Sequence, residues 1–374
     1  MILQRKKLGE IIKLEYGKPL PESERKLRGS YPVYGANGIK SYSDLSYVNH
    51  RSIIVGRKGS AGEVNLTEEK FWPLDVTYFV TYDEKKYDLG FLYRLLSSIN
   101  LPKLAKGVKP GLNRNDVYSI SVEIPRLIDD QKKISQVIDA VDTLRSKRRQ
   151  AIELLDDYLK SAFLKMFGDP VKNPKRWKTE RLNDVCDRLS DGPFGSKLKT
   201  EHYVDNGIRV IRLQNIGINK FKDNDKAFIS ETYYNSDLSK YTCKAGEIVI
   251  ATLGDPNIRA CLIPDYIHLS VNKADCIHCI PDNESVNSEY LLSLLNLPQF
   301  HHSFTSLTHG ETRTRVSSGQ LKNIQIPLPK MELQNKFAEV VVKSKETKQK
   351  MLSQSEELEN QFQALMQKAF KGEL

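Results

Sequence analysis

One stretch of this 374-residue chain is written twice. Ile124-Pro125-Arg126-Leu127-Ile128-Asp129-Asp130-Gln131-Lys132-Lys133-Ile134 is echoed by Ile326-Pro327-Leu328-Pro329-Lys330-Met331-Glu332-Leu333-Gln334-Asn335-Lys336-Phe337. After a one-residue gap the copies stay in step at a constant offset (337 − 134 = 203). Each copy starts as an apolar, strand-like run, breaks at proline and turns into a long helical pattern. The period is far too long for a solenoid. It describes a domain followed by a helix, then a second such domain and a second such helix.

The boundaries follow from that reading: 1–125, 126–170, 171–327 and 328–374. In the first domain, short β-branched and aromatic runs such as Ser52–Gly56, Val76–Val80 and Tyr118–Ile124 read as strands, and Asp88 to Ser98 reads as one internal helix. The second domain repeats the design. Leu182–Val185 answers Leu8–Ile11, Glu247–Ala251 answers Arg51–Val55, and Ser288–Asn296 answers the internal helix.

Between and after the domains lie two long helices, over about 128–167 and 330–370. In the first, Ile134, Val137, Val141, Leu144, Ala151, Leu155, Tyr158 and Ala162 recur at 3-4 spacing, broken by Arg148, which predicts a coiled-coil seam. Its basic run Arg145-Ser146-Lys147-Arg148-Arg149 reads as a solvated face, and Gly168-Asp169-Pro170 as the stop. The second carries Phe337, Val340, Leu358, Phe362 and Leu365 towards its ends, with Ser344, Thr347 and Gln354 between. About 38 residues make a helix of roughly 55–60 Å. Its stripe must be buried against the other helix or against its own domain. The length favours the first, since a domain of this size is only about 30–40 Å across. The expected fold is α+β: two similar mixed α/β domains separated by two long antiparallel coiled-coil helices, with pseudo-two-fold symmetry.

Lys and Arg outnumber Asp and Glu by 57 to 47, for a net charge of +10. That points towards a polyanionic partner, or simply to a basic soluble protein. The N-terminal run lacks the apolar core of a secretory signal and no apolar run approaches bilayer length, so a cytoplasmic chain with no membrane partner is expected. All five cysteines fall in the second half. Cys276-Ile277-His278-Cys279 has metal-ligand spacing, with His268 nearby, but no second pair accompanies it. The alternation from Val271 to Ile280 reads instead as a buried strand carrying two small thiols.

Catalytic signatures are missing. Gly56, Gly59 and Gly62 are wrongly spaced for a P-loop or a dinucleotide fingerprint, and the histidines form no metalloprotease pair. The chain offers instead loops that mix glycine with cations, amides and tyrosine. Tyr34 and Asn37 lie in Tyr31–Ile39, Arg57 and Lys58 in Val55–Gly62, and Lys106, Lys109 and Arg114 in Lys106–Arg114. The corresponding place in the second domain, His309–Arg315, carries Arg313 and Arg315, while Arg212, Gln214 and Asn215 form a further cluster beside Arg209. Arginine and lysine suit guanine edges and phosphates, and asparagine and glutamine suit adenine. Any one such residue, taken singly, reads more readily as an ordinary surface group. Paired loops at equivalent places favour nucleic acid.

The motifs resemble those of the DNA-specificity (S) subunits of type I restriction-modification systems. Tyr31-Pro32-Val33-Tyr34-Gly35-Ala36-Asn37-Gly38-Ile39 and the Val55–Gly62 run are similar to that family's target-recognition domains. Ile326-Pro327-Leu328-Pro329 with Glu332 and Gln334 resembles the opening of its long helices, and Lys165–Pro170 the close of the first. The first copy departs from the pattern, lacking the second proline. The resemblance implies that each domain reads half of a split double-stranded DNA site. It implies helices that space the halves and dock two methyltransferase subunits, with restriction/translocase subunits joining for cleavage. S-adenosylmethionine and Mg-ATP would belong to those partners, leaving this chain without cofactor or catalysis. The rival readings are a coiled-coil scaffold that binds no DNA, and a nuclease or methyltransferase with an unrecognised motif.

Overall fold

The computed structural model describes residues 1–371 apart from 68, 255, 257 and 306–314. The chain forms two compact units: unit 1 holds residues 1–150 and those from 352 onward, and unit 2 holds residues 151–351. Each long helix therefore contributes one part to each unit.

Unit 1 contains β1 (Leu3–Lys7), β2 (Ile12–Tyr16), β3 (Tyr31–Gly35), β4 (Gly38–Ser43), β5 (Ile53–Gly56), β6 (Val64–Leu66), β7 (Trp72–Pro73), β8 (Thr77–Tyr82) and β9 (Ser121–Pro125). Its main sheet runs β2-β8-β5-β6, beside a small β4-β3-β7 sheet and a β1-β9 pair. Strand β5 is buried throughout because both of its faces are covered. Ile53 and Val55 face the helical side, while Ile54 packs with Tyr34, Phe71 and Phe79 on the other. The internal helix Leu89–Ser98 is capped by Asp88, whose carboxylate accepts the Phe91 N–H, and it buries Phe91, Leu92, Leu95 and Leu96.

Unit 2 contains β10 (Thr179–Arg181), β11 (Cys186–Ser190), β12 (Tyr203–Val204), β13 (Ile208–Ile211), β14 (Phe228–Ile229), β15 (Thr242–Cys243), β16 (Ile248–Ala251), β17 (Arg259–Leu262), β18 (Ser270–Asn272), β19 (Cys276–Pro281) and β20 (Gln325–Pro327). Its order β11-β19-β16-β17 repeats the main sheet of unit 1, and β10-β20 repeats β1-β9. The parallel pairing of β13 with β18 repeats that of β3 with β7. The internal helix is Ser288–Leu295, capped by Asn287. One expected correspondence is corrected. Ala251 sits opposite Cys276 as Gly56 sits opposite Thr77, each opposite residue being the first of its strand. Ala251 therefore matches Gly56, not Val55. A run of apolar β-branched residues does not carry its own register, which pairing decides.

The long helices span Ile128–Phe167 and Met331–Lys371, 40 and 41 residues. Buried or half-buried residues recur in the first at 131, 134, 138, 141, 145, 148, 152, 155, 159 and 162. In the second they recur at 334, 337, 341, 344, 348, 351, 355, 358, 362 and 365. These are two heptad ladders at the same offset of 203 (334 − 131). The expected seam is corrected: Val137, Leu144 and Tyr158 are exposed. Arg145 and Arg148 lie on the seam instead of on a solvated face. In unit 1 the Arg148 Nη1 donates to Gln354 Oε1 at 2.8 Å, and Arg145 pairs with Glu359. In unit 2 Lys348 donates to Asp156 at 2.7 Å. Within each unit the two helices thus run antiparallel. They also pack on the domains. Ile134, Ile138 and Phe362 join the core of unit 1, and Phe163, Phe167, Phe337 and Val341 that of unit 2. Both expected ways of burying the stripe are used.

The copies differ where the internal helix meets the long ones. In unit 1 Arg94 reaches Asp139 at 2.6 Å and Asp142 at 3.1 Å, and the Arg145 guanidinium lies 4.0 Å from the Phe362 ring centre. Ser293 stands at the place of Arg94 in unit 2, and a cavity of about 390 Å³ opens there, floored by Phe163, Leu297 and Val341.

Each long helix is fastened by a fully buried glutamine one turn in. Gln131 Oε1 accepts the Asp88 N–H at 3.0 Å, while its Nε2 donates to Lys86 O and Pro125 O, each at 3.1 Å. Gln334 Oε1 accepts the Asn287 N–H at 2.8 Å, and its Nε2 donates to Pro329 O at 2.8 Å. One amide thereby joins the long helix, the cap of the internal helix and the segment that ends the last strand. Gln131→Met keeps the volume but orphans these backbone groups. It should cost about 2–3 kcal/mol in urea unfolding, with faster hydrogen exchange at the Asp88 amide. A cost below about 0.5 kcal/mol, within the range of a neutral surface change, would refute the lock.

Candidate nucleic-acid interface

In unit 1 the two cationic loops meet at the edge where β5 ends and β8 begins. Arg57 and Lys58 donate their backbone N–H groups to Val76 O at 2.9 and 3.1 Å. Gly59 N–H reaches Pro110 O at 3.1 Å and Leu112 N–H reaches Arg57 O at 2.9 Å, with a bridge between Lys58 and Gly111. Close approach explains Gly56: a Cβ there would stand 2.1 Å from Ser60 O and 2.9 Å from Ala36 O. The same approach places the turn carrying Asn37, which is exposed, beside these loops.

Arg57, Lys58, Lys106, Lys109 and Arg114 are thus brought to one edge. The Arg57 Nε and Nη2 donate to Asp75 O at 3.0 and 2.7 Å. Lys106 pairs with Asp116 at 2.9 Å in an exposed position, a pairing of small energetic weight. Lys58 and Lys109 are exposed, and Arg114 opens a helical turn capped by Asn113. Between Arg57 and Arg114 lies Tyr16, its ring centre 5.3 Å from each guanidinium. Tyr78 stands opposite Tyr16 and donates its hydroxyl to Leu112 O at 3.1 Å. Burial, then the neighbouring Tyr16, raise the Tyr78 phenol above its ordinary value. Tyr34 is corrected: it is buried edge-to-face on Phe71 at 5.6 Å and belongs to the core.

Unit 2 rebuilds the same junction. Thr252 N–H donates to Asp275 O at 3.0 Å, Val316 N–H donates to Thr252 O at 3.0 Å, and Leu253 bridges Arg315. These repeat the Arg57–Val76, Leu112–Arg57 and Lys58–Gly111 pairings. The cation has changed loops, since Arg315 stands where unit 1 has Gly111. Arg315 pairs with Asp275 at 2.7 Å and lies 5.7 Å from the Phe194 ring centre. Arg313, with the rest of 306–314, lies outside the described residues.

The other cluster is mostly inward-facing. Arg209 donates to Asp223 Oδ1 at 2.7 Å, and the Arg212 Nε donates to Asp225 Oδ2 at 2.8 Å. Asn215 is fully buried, donating to Lys222 O at 2.9 Å and Asp225 O at 2.7 Å while accepting the Arg212 N–H at 2.9 Å. Asn215 is therefore corrected from a base-reading residue to one that closes its loop, and Arg212 clamps the same loop. Gln214 alone of the three points out. Arg259 ties this segment to the junction, donating to Leu213 O at 3.1 Å, Ile216 O at 2.8 Å and Leu253 O at 2.9 Å. Sequence reasoning misses Arg259, Tyr16 and Phe194. Nothing local marks them, because their partners are 40 or more residues away in the chain for all but Arg259's nearest carbonyls.

Cys276 and Cys279 face opposite sides of β19. Cys276 packs with Cys243 and Cys261, and Cys279 with Ile248 and Ile277 in the helical core. Opposite faces rule them out as a chelating pair. Burial pushes the Cys243 and Cys261 thiols up to about 12, as expected of small apolar fillers.

Residues 3–154 and 174–359 both match the family described as the type I restriction modification DNA specificity domain. The chain belongs to that family. It is 25% identical over 362 residues to the type I restriction enzyme MjaVIII specificity subunit of Methanocaldococcus jannaschii, covering 89% of this chain and 84% of that one. A putative type I specificity subunit of Haemophilus influenzae is 23% identical over 335 residues, covering 87% and 83%. In fold, the chain is similar to the S subunit of M. genitalium, with a TM-score of 0.62 and 17% identity over 99% of this chain and 96% of that one.

The contrast between neighbours is testable. Asn215→Ala should lower unfolding stability by about 2 kcal/mol through unpaired buried carbonyls. Gln214→Ala should leave it within about 0.5 kcal/mol. Denaturant titration of the two variants separates the loop-closing residue from the exposed one.

Proposed function

We propose that this chain is the DNA-reading subunit of a type I restriction-modification complex, each unit reading one half of a bipartite double-stranded site. The observation that carries this reading is the loop junction built twice with the same backbone hydrogen bonds, cationic each time and supplied by different side chains. Arginine at such an edge has in-plane donors for guanine N7 and O6, and lysine neutralises phosphates. The long helices, each shared by both units, would set the spacing between half-sites. Among the described residues no helix is long and apolar enough to cross a membrane.

Docking of two methyltransferase subunits fits the apolar residues left outside the seam. Val137, Leu144, Leu154 and Tyr158 are each about half exposed on the first long helix. Restriction/translocase subunits would join that assembly. S-adenosylmethionine and Mg-ATP chemistry would reside in those partners, and this chain would contribute recognition alone.

Two experiments test the reading. Arg57→Ala with Lys58→Ala should relax base discrimination in one half-site only, by about 1–3 kcal/mol for each base pair no longer read. Arg315→Ala should relax the other half. Competition binding with single-base variants decides, and equal loosening of both halves would mean that the loops act only by charge. For docking, Leu144→Glu with Tyr158→Glu should abolish co-purification with the methyltransferase chains while DNA binding by the chain alone persists. Unimpaired co-purification would count against these positions.

A further inference from the structure

Both junctions leave a large aromatic ring half in water beside a guanidinium. Tyr16 is 46% exposed and Phe194 is 49% exposed. We infer that Tyr16 and Phe194 are positioning residues for DNA reading: each ring holds the arginines of its own unit in the orientation that presents their in-plane N–H groups. The inference rests on the proposed role of these loops and identifies what fixes their geometry.

The physical basis lies in arginine itself. A free arginine side chain has about 2 kcal/mol of rotamer entropy, much of which disappears when it docks on a base or phosphate. Packing beside an aromatic face restrains the guanidinium without using its N–H groups. Arg57 gives its Nε and one Nη2 donor to Asp75 O and Arg315 an Nη2 donor to Asp275, and the remaining Nη donors are those available to a base. In unit 1 the two cations come from distant places, Arg57 after β5 and Arg114 after the second loop, yet both stand 5.3 Å from the one ring. The ring is itself rigidly placed. Tyr16 is the last residue of β2, paired with Tyr78 at a ring separation of 5.1 Å. The next residue must be glycine, because a Cβ at Gly17 would stand 2.1 Å from Leu74 O. Tyr78 in turn holds Leu112, so sheet, ring and second loop form one unit.

Unit 2 reaches the same arrangement from other residues. Its β11 ends at Ser190, and the aromatic is supplied four residues later by Phe194, against Arg315 held by Asp275. An aromatic kept only to finish a core has no need of a cation. Nor would a surface cation need an exposed ring at both junctions.

The test uses the full chain, a duplex carrying its target as mapped from methylation by the assembled complex, and a random-sequence duplex. Tyr16→Leu should weaken target binding about 5- to 20-fold, the lower part of the about 5- to 150-fold expected when one base pair is no longer read specifically. Random-duplex binding and the salt slope should stay as in wild type, with discrimination loosened in one half-site only. Tyr16→Phe should stay within about twofold of wild type, since the ring face is kept. Phe194→Leu should loosen the other half. Arg114→Ala should reduce the salt slope by about 1, as when one phosphate is no longer neutralised, or relax one base position. If Tyr16→Leu binds and discriminates like wild type while Arg57→Ala and Arg114→Ala do not, the positioning role is overturned and the role of the loops stands. If target and random duplex weaken equally in Tyr16→Leu, the ring is structural and the inference also falls. If the arginine variants are silent too, the loops themselves are not the reading surface.

Discussion

A single buried amide holds each half of this chain together. Gln131 and Gln334 sit where three kinds of structure meet: the end of a sheet, the start of a short helix and the first turn of a long one. Each of these leaves backbone groups without regular partners, because proline stops the strand ladder and a helix N-terminus has unpaired N–H groups. A glutamine offers one acceptor and two donors on a stem long enough to reach all three. In a fully buried position the alternative is unsatisfied backbone, so the residue fixes how a long helix leaves its domain. The one-residue difference between the copies is absorbed here, Gln131 taking the carbonyl six residues before it and Gln334 that five before.

From that anchor the long helices run with heptad faces in step at the same offset as the duplicated motif. Their middles are polar, with Arg145, Arg148, Ser344 and Gln354 on or beside the seam. Polar seam residues are poorer glue than leucine but accept few alternative alignments, so they specify register. The aromatic cluster of Phe163, Phe167, Tyr290 and Phe337, with ring centres 4.8–5.4 Å apart, supplies apolar packing within unit 2.

The loop junctions combine a fixed backbone scaffold with side chains that differ between the two units. The shared part is backbone: the loop after β5 or β16, the start of β8 or β19, and the loop that precedes the last strand. What differs is side chains. Unit 1 takes its cations from both loops and its ring from the strand end, while unit 2 takes Arg315 from the second loop and Phe194 from beyond the strand. The side chains can then change without disturbing the hydrogen bonds that hold the loops together.

The sequence by itself determined the duplication, the bounds of both long helices to within a residue or two, and the cationic loops Val55–Gly62 and Lys106–Arg114. These are written locally, as a repeated motif, as 3-4 periodicity and as glycine beside cations. It did not determine which 3-4 stripe is the seam. Ile134, Val141, Leu155 and Ala162 belong to both candidate stripes, and only packing against the domain core and the other helix chooses Ile138 over Val137. Nor could it separate Asn215 from Gln214, which share a loop and a chemistry but face opposite ways. The meeting of the two cationic loops, the one-residue shift at Ala251 and the rings at Tyr16 and Phe194 were likewise decided by tertiary structure. Register, burial and cation–ring packing depend on partners far along the chain, and spacing alone does not name those partners.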